Sequence, residues 1–291
     1  MEIQDLRPEY EVPVKRIGFR NVLKRIVIRS PSGMYSFDAR INLYVEISSE
    51  RKGAHLSRSV DAINVLDYLP QESWSLEGLV DAIHTQLLKL HPYSMSANVT
   101  LYTNYWARAQ FGEMSSLEPV KVKVSVKGSS KSKVYSLSVA VKGITVCPSA
   151  QSTIASMLGY AGLAPSHSQK VTLVGTIVTN VLKVINVDDI AAQLWKSVSA
   201  PAFTLLKRPQ EAALVIGAHR NPKFAEDAVR DAVRRLRCLV GDKLPPDSLI
   251  RAEIYSLESI HPHDVYAMAE GTLKELPEVN CNDSSSGANN V

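Results

Sequence analysis

Ile250-Arg251-Ala252-Glu253-Ile254-Tyr255-Ser256-Leu257, followed by Glu258-Ser259-Ile260-His261-Pro262-His263-Asp264, is the stretch from which the rest of the chain can be read. Its first part alternates apolar and polar residues, the period-two pattern of a half-buried β-strand. Its second part places one carboxylate and two imidazoles within six residues, Glu258 to His263, at the strand's exit. Both groups ligate divalent metals and transfer protons. A polar loop after a strand has the same composition, so other candidate ligands along the chain decide its weight.

Outward from this stretch the same alternation recurs. Val265 to Leu273 reads as the next strand. Upstream, a helix runs from Asn221-Pro222 through Phe224, Val229, Val233 and Leu236 to Gly241. A shorter one starts near Val187-Asp188-Asp189, with Ile190, Leu194 and Val198 at helical spacing. Before these, Lys133 to Val146 and Gln169 to Val184 read as strands, with an extra segment, Pro148 to Pro165, between them. The order is ββααββ. The N-terminal half has the same order. Pro13 to Ser30 and Met34 to Ser48 form a hairpin about Ser30-Pro31-Ser32-Gly33. One helix follows Ser57-Arg58-Ser59. A second is N-capped by Ser75 and carries Leu76, Leu79, Val80, Ile83, Leu87 and Leu90. Strands at Ala97 to Ala107 and Leu117 to Val126 close the half before Lys127-Gly128-Ser129-Ser130. The expected fold is therefore α+β, with two tandem ββααββ units at 1–130 and 131–276, argued from element order without a residue-level repeat. The polar segment 277–291 is expected to be disordered.

Composition bounds the function. A chain of 291 residues can bury two cores, and 45% hydrophobic with 21% charged residues is globular composition. A net charge of +4 suits an anionic small molecule and does not call for nucleic acid. No apolar run reaches the ~20 residues of a membrane span. The N-terminal Met1-Glu2-Ile3-Gln4-Asp5 lacks signal-peptide order, so a cytoplasmic location is expected. Cys147, Cys238 and Cys281 are far apart and include no CxxC, so no disulfide framework is expected and any functional cysteine should be a reduced thiol. Of the lysine run 121, 123, 127, 131 and 133, the first three share the strand parity opposite to Val122, Val124 and Val126, the pattern of a solvated sheet face.

Candidate chemistry sits at isolated polar spots. Cys147 leaves the strand ending at Val146 and precedes a Pro148-Ser149 turn, an end-of-strand place as compatible with a cleft as with a passive core thiol. His167 lies in a polar turn, where a surface histidine is the ordinary alternative. Glu211 and Glu226 fall on early helical turns, where the helix dipole favours acids anyway. Arg51-Lys52-Gly53-Ala54-His55-Leu56-Ser57-Arg58 combines cations, a histidine and a helix start, the parts of a phosphate site or of a basic loop.

Taken together, these segments resemble the type IB GTP cyclohydrolases, and among them the archaeal methanopterin-pathway branch. The resemblance rests on Pro13-Val14-Lys15-Arg16-Ile17-Gly18, Gly53-Ala54-His55-Leu56-Ser57-Arg58, Ile144-Thr145-Val146-Cys147-Pro148, Leu206-Lys207-Arg208-Pro209 with Glu211, Asn221-Pro222-Lys223-Phe224-Ala225-Glu226-Asp227, and Glu258 to Asp264. It implies the tunnelling fold: antiparallel sheets with helices on one face, closed into a barrel by homo-oligomerisation, with sites at subunit interfaces. It implies a metal centre of Cys147, His167, Glu211, Glu258 and His261, with Cys147 and His167 catalytic. Glu226 would anchor the purine, and His55 and Arg58 would contact triphosphate or ribose. The implied reaction is metal-dependent hydrolytic opening of the guanine imidazole ring of GTP with formate release. The archaeal branch implies Fe(II) and 7,8-dihydroneopterin 2′,3′-cyclic phosphate. The bacterial branch implies Zn(II) or Mn(II) and 7,8-dihydroneopterin triphosphate. Many relatives read Cys-Pro-Cys where this chain has Cys147-Pro148-Ser149, leaving one thiolate. Two other readings stay open: an NADPH-dependent nitrile reductase of the same fold, and a non-catalytic guanine-nucleotide-binding oligomer.

Overall fold

The computed structural model describes residues 2–30, 33–68, 75–160 and 162–281. The first half consists of β1 (Val14–Ser30), β2 (Gly33–Ile47), α1 (Leu56–Tyr68), α2 (Leu76–Leu90), β3 (Ala97–Phe111) and β4 (Met114–Gly128). The second consists of β5 (Lys133–Val146), α3 (Pro148–Leu158), β6 (Ser168–Thr179), α4 (Val187–Lys196), β7 (Ala200–Pro201), α5 (Arg208–Arg220), α6 (Ala225–Val240), β8 (Leu249–Leu257) and β9 (Val265–Thr272). The expected ββααββ order is present in the first half. In the second it is interrupted by α3 and augmented by α5. The strands hydrogen-bond in the order β1-β2-β3-β4-β5-β6-β8-β9, with the short β7 beside β5. The antiparallel α+β reading is correct.

The chain forms two compact units. One comprises residues up to Asn104 with Val122–Leu137 and Val178–Val184; the other comprises Tyr105–Lys121, Ser138–Ile177 and the residues from Ile185 on. Their boundary falls inside the long strands β3 to β6. The division at residue 130 follows element order, whereas these units follow packing and are not contiguous in sequence.

In the first unit, Ile41, Leu43 and Val45 of β2 pair with Leu101, Val99 and Ala97 of β3. These residues are buried along with Ile83 and Leu87 of α2. The helix begins where the Ser75 hydroxyl accepts the Gly78 N–H at 3.0 Å, the expected N-cap. Gly18 lies within a continuous β1 and is glycine for a steric reason. A Cβ there would stand 2.0 Å from the Leu43 carbonyl oxygen. In the second unit, Leu173 and Ile177 of β6, Ile190 and Leu194 of α4, Leu236 of α6 and Ile250 and Ile254 of β8 are buried. Helix α6 packs against α4, β8 and β9. A Cβ on Gly175 would lie 2.9 Å from methyls of both Leu194 and Leu236, so the missing side chain lets both helices approach β6.

Several expectations are corrected. Pro148-Ser149 opens α3 rather than a turn, with Cys147 as N-cap and proline in the first turn. The strand read to Val184 stops at Thr179. Asn221 to Lys223 are not helical, because Asn221 is the C-cap of α5 and α6 begins at Ala225. Cys238 and Cys281 form a disulfide, overturning the expectation of reduced thiols only. The expected disorder of 277–291 falls mostly outside the described residues. The bland reading of the lysine run is sound, since Lys121, Lys123 and Lys127 are exposed and the intervening valines buried. Among the described residues no helix is long and apolar enough to cross a membrane.

Candidate metal and active centre

Cys147 ends β5 and begins α3, so its side chain stands where the first N–H groups of a helix point. Its Sγ accepts from the Ala150 N–H at 3.4 Å. Its own N–H donates to the His167 carbonyl oxygen at 3.1 Å, and the Ser166 hydroxyl donates to the Cys147 carbonyl oxygen at 2.7 Å. Exit of one strand and entry of the next are thereby locked together. Cys147 is half-buried and free. His167 is half-buried too, and its Nδ1 is a fully buried atom with no hydrogen-bond partner. Buried polar atoms in folded proteins are nearly always partnered, so this nitrogen is open to a water or to a ligand from outside the polypeptide.

The ends of α5 and α6 close on the same place. The Lys223 N–H donates to the Val146 carbonyl oxygen at 3.0 Å. The Asn221 amide donates to the Val198 and Ser199 carbonyl oxygens at 3.2 and 3.3 Å. Much of the Asn221 to Asp227 motif therefore fixes the backbone beside Cys147. Glu226 lies exposed on the first turn of α6. The motif also holds a half-buried ion cluster: Lys223 Nζ is 2.9 Å from Asp231, which also pairs with Arg234 and Arg235. Burial resists ionisation of Asp231, but Lys223 and the two arginines outweigh it and hold the carboxyl below its usual range.

Glu211 sits exposed on the first turn of α5. It continues the stripe of Leu214 and Ala218, which pack with Val146 and Ala200. The last turn of α5 carries His219, whose Nε2 is 3.3 Å from the Ser166 carbonyl oxygen. Glu211 is therefore about 12 Å along the helix from the end that meets the Cys147–His167 pair.

Glu258 and His261 occupy the connection between β8 and β9. Glu258 is half-buried and accepts from the Ser256 hydroxyl at 2.8 Å. His261 is exposed and stacks on His263, with centroids 5.2 Å apart. In an antiparallel sheet with β6 between β5 and β8, the exit of β5, the entry of β6 and the exit of β8 share one end. Cys147, His167, Glu258 and His261 are thus all at one end of the sheet. They are spread along it, because two strand spacings separate β5 from β8 by about 9–10 Å. Among the described residues of one chain, these side chains and Glu211 form no group of three with ligand atoms within 4.8 Å. The donor types still fit a metal. A free thiol, an unpartnered imidazole nitrogen and carboxylates suit Fe(II), Mn(II) or Zn(II).

A different cluster meets that distance. Glu2, Asp5 and His55 place ligand atoms within 4.8 Å of one another. The His55 Nδ1 is 2.7 Å from Glu2, its Nε2 3.4 Å from Asp5, and its N–H donates to the Tyr93 hydroxyl at 3.0 Å. These donors are right for a divalent ion. However, Arg51 already supplies positive charge, pairing with Asp5 and lying 2.8 Å from the His55 Nε2 and 3.7 Å over the Tyr93 ring. Burial would raise the Asp5 carboxyl, but the His55 and Arg51 contacts hold it below the usual range. Sequence reasoning missed this cluster because its members lie 50 residues apart and Glu2 and Asp5 belong to no motif. Arg58 turns its guanidinium to the Leu90 carbonyl oxygen at 3.3 Å.

The architecture is shared with known structures. It overlays on the uricase from Arthrobacter globiformis with a TM-score of 0.55 at 8% identity, covering 91% of this chain and 96% of that one. A hyper-thermostable mutant of that uricase gives a TM-score of 0.52, covering 88% and 91%. These likenesses define the class: an α+β protein of the tunnelling-fold type. Sequence comparison is more specific. The family model described as type I GTP cyclohydrolase folE2 matches residues 1–267, and the chain belongs to that family. A GTP cyclohydrolase MptA from Aeropyrum pernix is 39% identical over 279 residues, covering 95% of this chain and 97% of the relative. A GTP cyclohydrolase MptA from Methanospirillum hungatei is 28% identical over 304 residues, covering 95% and 92%.

Proposed function

We propose that this protein is a GTP cyclohydrolase of the archaeal methanopterin-pathway branch, type IB within its family. It opens the guanine imidazole ring of GTP, releases formate and, as a hydroxyl of the pterin side chain closes on the α-phosphate and expels pyrophosphate, forms 7,8-dihydroneopterin 2′,3′-cyclic phosphate. The observation that carries this reading is a free thiol on Cys147, whose backbone N–H is bonded to the carbonyl oxygen of His167, together with the buried, unpartnered Nδ1 of His167, in a chain of this family.

Cys147, His167, Glu211, Glu258 and His261 would hold a divalent cation, Fe(II) by the same reading. When bound, such an ion supplies Lewis-acid activation of water at neutral pH. The chain's residues do the rest. Glu226 presents an acceptor to the adjacent N–H donors of the guanine pyrimidine edge. The Lys223 N–H bond to the Val146 carbonyl oxygen ties its helix to the residue before Cys147. His55 and Arg58 would meet the triphosphate or ribose, exchanging their present contacts with Glu2, Asp5 and Leu90 for the nucleotide. Two hydrolyses follow at one carbon: the first opens the ring, and the second releases that carbon as formate. A homo-oligomer would bring a second copy's residues to ligand positions that are spread along one sheet end in a single chain. A cytoplasmic location accords with this role.

The test is the mass of the pterin formed from GTP under anaerobic conditions with added Fe(II). The expected products are the cyclic phosphate, formate and pyrophosphate. The triphosphate would assign the bacterial-type product. Formation of neither with Fe(II), Mn(II) or Zn(II) would overturn the proposal.

A further inference from the structure

Between Cys147 and His167 the chain makes a helix and a loop, and one side chain fastens both to α5. Gln151 sits one turn into α3, where its N–H donates to the Cys147 carbonyl oxygen at 3.2 Å. Its amide nitrogen donates to the Ala164 carbonyl oxygen at 3.0 Å and to the His219 carbonyl oxygen at 2.9 Å. Both amide hydrogens are thereby used. One holds the loop that leads into His167 and the other the last turn of α5. The same loop is held by the His219 ring at Ser166, 3.3 Å, and by the Ser166 hydroxyl on the Cys147 carbonyl oxygen, 2.7 Å.

We infer that Gln151 is a positioning residue, which sets the Cys147 thiol and the His167 imidazole relative to each other through Ala164 and α5. This rests on the proposed role of that pair. The residue type matters because one amide nitrogen offers two hydrogens to two carbonyl oxygens without adding charge. A carboxylate of the same shape has none to offer and repels both oxygens. Displacements of about 1 Å far from the reacting atoms can cost about 100-fold in rate. The residue carries no chemistry of its own, and nothing in the sequence around it, Pro148-Ser149-Ala150-Gln151-Ser152, marks it as special.

The test compares wild type with Gln151→Glu and Gln151→Lys; the ammonium of the latter can donate to both carbonyl oxygens. The first readout is the iodoacetamide alkylation rate of Cys147 in metal-free, non-reduced protein, where Cys238 and Cys281 are paired. The second is kcat and KM for formate release from GTP. Gln151→Glu is expected to change the alkylation rate at least threefold. It should also lower kcat by about tenfold or more with KM within about twofold, and Gln151→Lys should recover part of both. Should Gln151→Glu fail to fold, Gln151→Met removes the donors without charge and carries the same comparison. An unchanged alkylation rate in a folded variant, or a loss confined to melting temperature, would overturn the inference. A changed alkylation rate in a protein whose wild type releases no formate would instead leave the positioning role standing and remove the cyclohydrolase reading.

Discussion

Lys223 shows how a recognisable motif divides between scaffold and chemistry. Its N–H closes on Val146, and its ammonium reaches the Lys196 and Ser197 carbonyl oxygens at 3.3 and 3.2 Å and Asp231 at 2.9 Å. Replacing Asp231 by Asn should destabilise the protein by about 2 kcal/mol at neutral pH, since a largely buried ammonium loses its charged partner. The sign of the pH dependence follows from the depressed carboxyl. The unfolded state binds the proton first, so Asp231 stabilises the fold fully above its ordinary 3.8 and loses that contribution as pH falls through the lower folded value. Urea midpoints of wild type and Asp231→Asn should therefore differ at pH 7 and converge as the pH drops below about 4. A constant difference across that range would contradict this account. His167→Ala should weaken metal retention at least tenfold, read as metal per protomer after anaerobic reconstitution and gel filtration. Cys147 was legible because an alternating strand visibly ends beside it. The orphaned nitrogen of His167 was not, because its burial depends on tertiary packing.

At the scale of elements, periodicity located most strands and helices, and the failures have physical causes. The segment before His167 has no charged residue from Gln151 to Ala164 to give it a polar face, so α3 did not declare itself by amphipathic pattern. The helix read from Asn221 begins later, at Ala225, because Asn221 ends α5 with its backbone N–H on the Ala218 carbonyl oxygen and ties its side-chain amide to Val198 and Ser199, long-range contacts invisible to local propensity. The disulfide lay beyond reach for the same reason. Cysteines 43 residues apart carry no spacing signal, and only the fold brings their Cα atoms to 5.5 Å. It joins the end of α6 to the residue after Asn280, so the loop it closes includes β8, β9 and the Glu258–His261 connection. Loop closure of that length limits the unfolded chain by about 4 kcal/mol in the chain-entropy estimate. Cys281→Ser should accordingly lower the melting temperature by several degrees, and reductant should do the same to wild type but not to the variant. Equal sensitivity of both proteins to reductant would remove the disulfide from the stability account. Gly18→Val should be more damaging still to the β1–β2 pair, because backbone rather than a mobile side chain occupies the space.

For the whole molecule, the strand order among the described residues ends on β1 and β9, each with one side unpaired by the other described strands. Tyr266 and Met268 of β9 are exposed, as is Leu23 of β1. Unpaired edges are normally covered or blunted. The proposed homo-oligomer would cover them and complete a ligand set that one chain leaves spread out. Light scattering coupled to gel filtration should give a multiple of the protomer mass, and a monomer that retains full activity would contradict shared sites. The α+β class was legible in the order of elements, and the ligand types in the motifs. Where the proposed ligands would meet was not, since a sequence records which donors exist and not which chain supplies each one. The most direct test of the central claim is formate release from GTP labelled at C8, measured anaerobically for wild type and Cys147→Ala at matched folded concentration. The account predicts label released as formate by wild type and a loss of at least 100-fold in the variant. Equal release by the two proteins would contradict it.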